Sequence, residues 1–111
     1  MPHLVIEHSP EITDAMPALC QAVFEAACRC STFPNPSAVK VRSRLCQNHT
    51  GGTGAGFAHT TVRMLEGRSD DLKSEVTAAV LAAMETALPT TASLTVEVVD
   101  LHTASYAKRY L

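Results

Sequence analysis

The stretch "FAHTTVRMLEGRSDDLKSEVTAAVLAAMETAL" (residues 57–88) decides the architecture, because it changes its period once. Residues 57–65 (FAHTTVRML) are short, β-branched-rich and apolar, which predicts a strand. Gly67 and Ser69 then punctuate the chain. Ser69 is a good N-cap, and Asp70 and Asp71 suit the positive end of a helix dipole. From there Leu72, Val76, Ala79, Val80, Ala83, Ala87 and Leu88 recur at helical spacing until Pro89 stops the run. Residues 93–101 (SLTVEVVDL) return to strand character. The unit is βαβ.

Working back toward the start, the same order repeats. Residues 3–8 (HLVIEH) predict a strand. Residues 14–31 predict a helix with Met16, Leu19, Cys20, Val23, Ala27 and Cys30 on one side. Asp14 is its expected N-cap, and Pro17 falls in the first turn, where a missing N–H costs little. "FPNPS" (33–37) ends it. Residues 39–46 alternate, with Val39, Val41, Ser43 and Leu45 on one face and Lys40, Arg42 and Arg44 on the other. The expected fold is α+β. Two βαβ units (1–47 and 57–101) form a four-stranded mixed sheet with two helices on one face. A glycine-rich connector (48–56) joins them, a tail (102–111) follows, and the whole is one domain.

The connector's Gly52, Gly54 and Gly56 resemble part of a dinucleotide-binding loop. However, they lead into a strand rather than a helix, and no Lys-Ser/Thr follows. A flexible connection accounts for them. A hydrophobic fraction of 46% and a charged fraction of 18% exclude a disordered chain. No apolar run is long enough to span a membrane and no leader pattern opens the chain, so the cytoplasm is the expected location. Cys20, Cys28, Cys30 and Cys46 contain no CxxC pair, which points to reduced structural thiols. The histidines fit no zinc spacing, so no metal and no cofactor are expected.

Charge is distributed unevenly. Lys40, Arg42, Arg44, Arg63 and Arg68 stand against Glu66 alone between positions 40 and 68, in a chain of net charge −2. A local positive field in an acidic protein suits a small anionic ligand better than a polyanion and disfavours nucleic acid. Strands with apolar residues on both faces, such as Leu4 beside Val5 and Val98 beside Val99, leave one sheet face for another chain to cover. A homo-oligomer is expected, with the tail available to cross onto a neighbour. No membrane partner is expected.

Pro2 precedes the first strand. Either it only starts an edge strand, or initiator methionine is removed and its nitrogen becomes an amine that titrates near neutrality. If strands 1 and 2 are parallel neighbours and strand 3 runs antiparallel beside strand 1, Arg68 lies at the proline edge. Arg42 then lies roughly 10 Å from it, at ~3.3 Å per residue. An amine base flanked by arginines suits a carboxylate-bearing acid with an abstractable proton. Arg44 shares the face of Arg42 further from that edge. His3 adjoins Pro2 and is a candidate to orient substrate, whereas His59 is expected to be a structural hydrogen-bonding histidine.

"MPHLVIEHS" (1–9), "VRSR" (41–44), "FAHTTVRMLEGRS" (57–69) and "SLTVEVVDLH" (93–102) resemble the 5-carboxymethyl-2-hydroxymuconate isomerases of the tautomerase superfamily. The likeness touches most of the chain and is poorest in the connector and the tail. It implies an amino-terminal proline base, Pro2, that interconverts a 2-hydroxydienoate with its 2-oxo isomer in aromatic-compound catabolism. It further implies carboxylate binding by Arg42 and Arg68, a homotrimer, and no cofactor or metal. Three alternatives stay open at this point. The substrate is another 2-oxo acid, the protein is a non-catalytic trimer that retains Met1, or it is a ferredoxin-like βαββαβ binding module.

Overall fold

A computed structural model describes residues 1–52 and 54–111; Thr53, inside the expected connector, lies outside the described residues. The strands are β1 (His3–His8), β2 (Lys40–Leu45), β3 (Phe57–Leu65) and β4 (Ser93–Leu101), and the helices are α1 (Met16–Cys28) and α2 (Asp70–Ala87). They form one four-stranded mixed sheet in the order β2-β1-β3-β4. β1 runs parallel to β2 and antiparallel to β3, and β3 runs parallel to β4. The α+β arrangement of two βαβ units agrees with the pattern read from the sequence.

The register assigns the faces. Leu4, Ile6, Val62 and Met64 point to the same side as Val41 and Val96, and there they meet Leu19 and Val23 of α1 and Val76 and Val80 of α2. All of these are buried except Val41 and Val96, which pack at the margin. Met84, absent from the periodic set, is fully buried and accepts a hydrogen bond from the Thr60 hydroxyl at 3.3 Å. A flexible thioether fills space that branched side chains would leave.

Helix starts follow their caps. Ser69 Oγ accepts from Leu72 N at 3.3 Å, as its position predicts. Asp14 is not a cap. It sits inside a 3-10 turn (Pro10–Ala15), and α1 begins at Met16 with Ala15 at its N-cap position. An Asp14 cap would need the N–H of Met16 or of Pro17: Pro17 has none, and Met16 N donates to the Thr13 carbonyl. α1 also ends at Cys28, so Cys30 lies beyond it and is buried, with its thiol donating to the Ala26 carbonyl.

The second sheet face carries no helix. On it the register places Val5, Thr61 and Val99 among charged and polar neighbours. His59 Nε2 meets Glu97 Oε2 at 2.6 Å and Nδ1 meets Thr95 Oγ1 at 2.6 Å, the structural role expected of that histidine. The face is therefore mixed rather than bare apolar. The tail reaches the chain's own N-terminus, where Tyr106 and Tyr110 meet Met1. No helix among the described residues is long and apolar enough to cross a membrane.

Candidate active site

The site forms where β1 starts, because three chain segments end or turn there. Pro2, fully buried, precedes β1, and its carbonyl accepts from Lys40 N at 3.1 Å, which locks the start of β2 beside it. His3 pairs with Lys40 on one side and Arg63 on the other. The strand order assumed from sequence is the observed one, so Arg68, just past the end of β3, lies at the Pro2 edge of the sheet. Its guanidinium donates to the Leu65 carbonyl at 3.0 Å, which holds the side chain back along β3.

Arg42 pairs with Val5 in the register, yet its guanidinium reaches back toward the edge. Its Nη1 lies 3.1 Å from His3 Nδ1. A guanidinium can only donate, so Nδ1 is the acceptor, and the neutral ring carries its proton on Nε2. Burial, Arg42 and Lys40 push the His3 pKa below 6.5 in that order of importance, with the amino terminus adding to them. His3 is thus a neutral N–H donor beside Pro2, held by one of the arginines. Arg44 opposes Glu7, two positions further from the edge on the same face. It stands apart from the His3–Arg42 pair.

Three contributors escaped the sequence reading. Lys40 donates to the Ala38 carbonyl at 3.0 Å and stands 5.1 Å from the centre of the Tyr110 ring. Tyr106 donates its hydroxyl to Met1 Sδ at 2.8 Å, and the Met1 ammonium donates to Tyr110 Oη at 3.3 Å and to the Ala38 carbonyl at 3.3 Å. Burial first, and then Lys40 and Lys108, lower the pKa of that ammonium from 8.0. Lys40 was visible as charge. The tyrosines arrive from more than 100 residues away, and no local pattern in the tail announces them.

Among the described residues, no group of three or more His, Cys, Asp or Glu side chains is arranged to hold a metal ion. At the opposite end of the sheet, a cavity of about 750 Å³ lies between Glu11, His49, Phe57 and the connector glycines. None of Pro2, His3, Arg42, Arg44 and Arg68 lines it.

A family model described as 5-carboxymethyl-2-hydroxymuconate isomerase matches residues 2–109. Among solved structures, the chain is similar to a 5-carboxymethyl-2-hydroxymuconate delta-isomerase (TM-score 0.81, 19% identity, covering 99% of this chain and 88% of that one). It is equally similar to a 5-carboxymethyl-2-hydroxymuconate isomerase from Deinococcus radiodurans R1 (TM-score 0.82, 20% identity, covering 97% and 88%). A fused 4-OT symmetric trimer shares the fold at a TM-score of 0.74 and 20% identity, covering 89% and 85%. No match was found among curated proteins.

Proposed function

The chain belongs to the 5-carboxymethyl-2-hydroxymuconate isomerase family and is a tautomerase-type isomerase; from that premise we propose that Pro2, freed of Met1, is its general base. The substrate is a 2-hydroxymuconate-type dienoate, of the 5-carboxymethyl-2-hydroxymuconate class. The observation that carries this reading is the 3.1 Å contact between Arg42 and His3, one residue from Pro2, on an edge that Arg68 shares.

The Pro2 nitrogen takes the proton of the 2-hydroxyl group as the C2–O bond becomes a carbonyl. The conjugated electron pairs shift along the diene, and the same nitrogen returns the proton to the vinylogous carbon. One O–H bond breaks and one C–H bond forms, so the step needs no redox partner. Arg42 and Arg68 hold carboxylates, since a guanidinium fork matches them and cannot compete as the base. The His3 Nε2–H supplies a neutral donor to the developing carbonyl oxygen. Arg44, further along β2, fits a contact to the distal end of a longer acid. The cations around the terminus disfavour a second positive charge, which keeps the amine available as a base near neutral pH.

The open sheet face, where Val5, Thr61 and Val99 lie, packs against further copies in a homo-oligomer. A trimer like that of the fused 4-OT structure is the reading favoured, and the cytoplasm is the proposed location.

A second reading concerns a chain that keeps Met1. With Met1 in place the Pro2 nitrogen is an amide and the base is absent, so a chain that keeps Met1 is a non-catalytic relative. The test measures ultraviolet ketonisation of 2-hydroxymuconate by protein whose mass shows Met1 removed, beside Pro2→Ala. The expected result is a fast rate that collapses by at least about 100-fold in the variant. Equal background rates in both would sink the base assignment.

A further inference from the structure

We propose that Tyr106 and Tyr110 are ligand-binding residues whose hydroxyls, with Lys40 and Lys108 beside them, hold one carboxylate of an extended diacid in the space that Met1 fills. The inference rests on the reading of this edge as an acid-binding site once Met1 is removed, and it adds a second wall to that site.

Met1 marks the place because both of its polar groups are met by the tail. Tyr106 spends its hydroxyl proton on a thioether sulfur at 2.8 Å, which is a weak acceptor. A carboxylate oxygen at the same point is a far stronger one. Tyr110 accepts from the Met1 ammonium at 3.3 Å, so its own proton remains to be donated. Its ring stands between two ammonium groups, Lys40 Nζ at 5.1 Å and Lys108 Nζ at 5.5 Å from the centroid. Those contacts fix the ring by cation–π attraction and bring two positive charges to the position. Burial first, and then the same two lysines, depress the pKa of the Met1 ammonium, and the lysines' part of that effect is the part an anion at this location would reverse.

Spacing supplies the ligand class. Met1 and His3 flank Pro2 along one extended chain, so the two wall positions are separated by roughly 7 Å at ~3.3 Å per residue. That is about the end-to-end length of a six-carbon diacid. Arg42 takes one carboxylate, the tail tyrosines take a further one at the far end of the acid, and the carbons between them pass the Pro2 nitrogen. A monocarboxylic acid engages only one wall. The tail thereby selects for substrates with a second acid group.

The test is calorimetric titration of Met1-free protein with adipate, a non-reacting six-carbon diacid, and with hexanoate, its monoacid counterpart. Tyr106→Phe combined with Tyr110→Phe is expected to weaken adipate by about tenfold, the loss of a hydrogen bond to a charged group, while hexanoate stays within about twofold. Lys40→Gln is expected to weaken adipate in the same selective way, and both variants should keep the parent melting temperature. Equal adipate affinity in parent and double-tyrosine variant overturns the inference, as does equal weakening of both acids. Pro2→Ala separates this result from the catalytic reading. It should cut turnover by at least about 100-fold yet bind adipate as the parent does. If Pro2→Ala turns over at the parent rate while the tyrosine variant still loses adipate, the base assignment fails and the tail site stands.

Discussion

The two ends of the sheet use backbone and side chains in opposite ways. At the far end, Ser9 binds Phe57 in both directions: Phe57 N donates to Ser9 Oγ at 2.9 Å, and Ser9 N donates to the Phe57 carbonyl at 3.1 Å. Ser9 is fully buried, and the neighbouring His8 ring donates from Nδ1 to the Ser9 carbonyl at 2.8 Å. Gly56, with φ +84°, lies so near that a Cβ there would sit 2.8 Å from a Glu11 carboxylate oxygen. Polar groups at that end are spent on one another. At the Pro2 end, Arg42 and Arg68 each satisfy one donor within the protein and retain others of their five N–H groups. One end spends its donors within the protein, and the other keeps guanidinium N–H groups beyond those two internal contacts.

The comparison breaks most sharply if the arginines prove structural. Arg68→Ala and Arg42→Ala should each lower kcat/KM for a 2-hydroxymuconate by 10- to 100-fold, the worth of about 1.5–3 kcal/mol for a hydrogen bond to a charge, with little change in melting temperature. Unchanged kcat and KM in either variant would remove that residue from the site. Ser9→Ala is the mirror experiment. It leaves the part-buried Phe57 N–H without its side-chain partner, so denaturant titration should show a loss of about 1 kcal/mol. Turnover per folded molecule should not change.

A finer test uses pH. The acid limb of kcat/KM should fall as the Pro2 amine protonates, and Lys40→Gln should move that limb to higher pH by a few tenths of a unit, since removing a cation raises the amine's pKa. A flat profile from pH 5 to 8 would count against the amine. The smallest effect concerns His3. Its folded-state pKa lies below 6.5, so the unfolded chain binds more protons as pH falls through 6.5, and folding stability declines there. Above 6.5 both states are neutral at this ring and it contributes no slope. His3→Gln should remove that part of the decline, as read from melting temperatures between pH 5 and 7.

Much of this contrast was legible in the sequence because it rests on period and order. Alternation in β2 and β3 fixes which residues share a face, and two βαβ units leave few ways to arrange four strands. That order is also what places Pro2, Arg42 and Arg68 toward one end of the sheet. The start of α1 is not legible from Asp14 alone, because Pro17 lacks one of the two N–H groups that a cap there would serve and Met16 gives the other to Thr13. Tyr106 and Tyr110 were not legible at all. Their partners lie at the other terminus, and only the folded tail unites them. Lys40 was read as one charge in a run, although its backbone N–H to the Pro2 carbonyl and its ammonium near Tyr110 make it the joint between β1 and the tail.

The β1–β3 pairing, with His3 opposite Arg63 and His8 opposite Ala58, has a consequence for how the chain reaches its native state. β1 with β2, and β3 with β4, are closed by their own crossovers, but the sheet becomes continuous only when residues some fifty positions apart meet at its centre. Neither half presents a complete apolar layer to the two helices beforehand. Non-local closure of that kind raises the relative contact order and slows the search. Refolding should therefore have its rate set by the central pair, and substitutions at Thr60 or Val62 should slow folding more than equal losses of stability placed at the exposed end of β4.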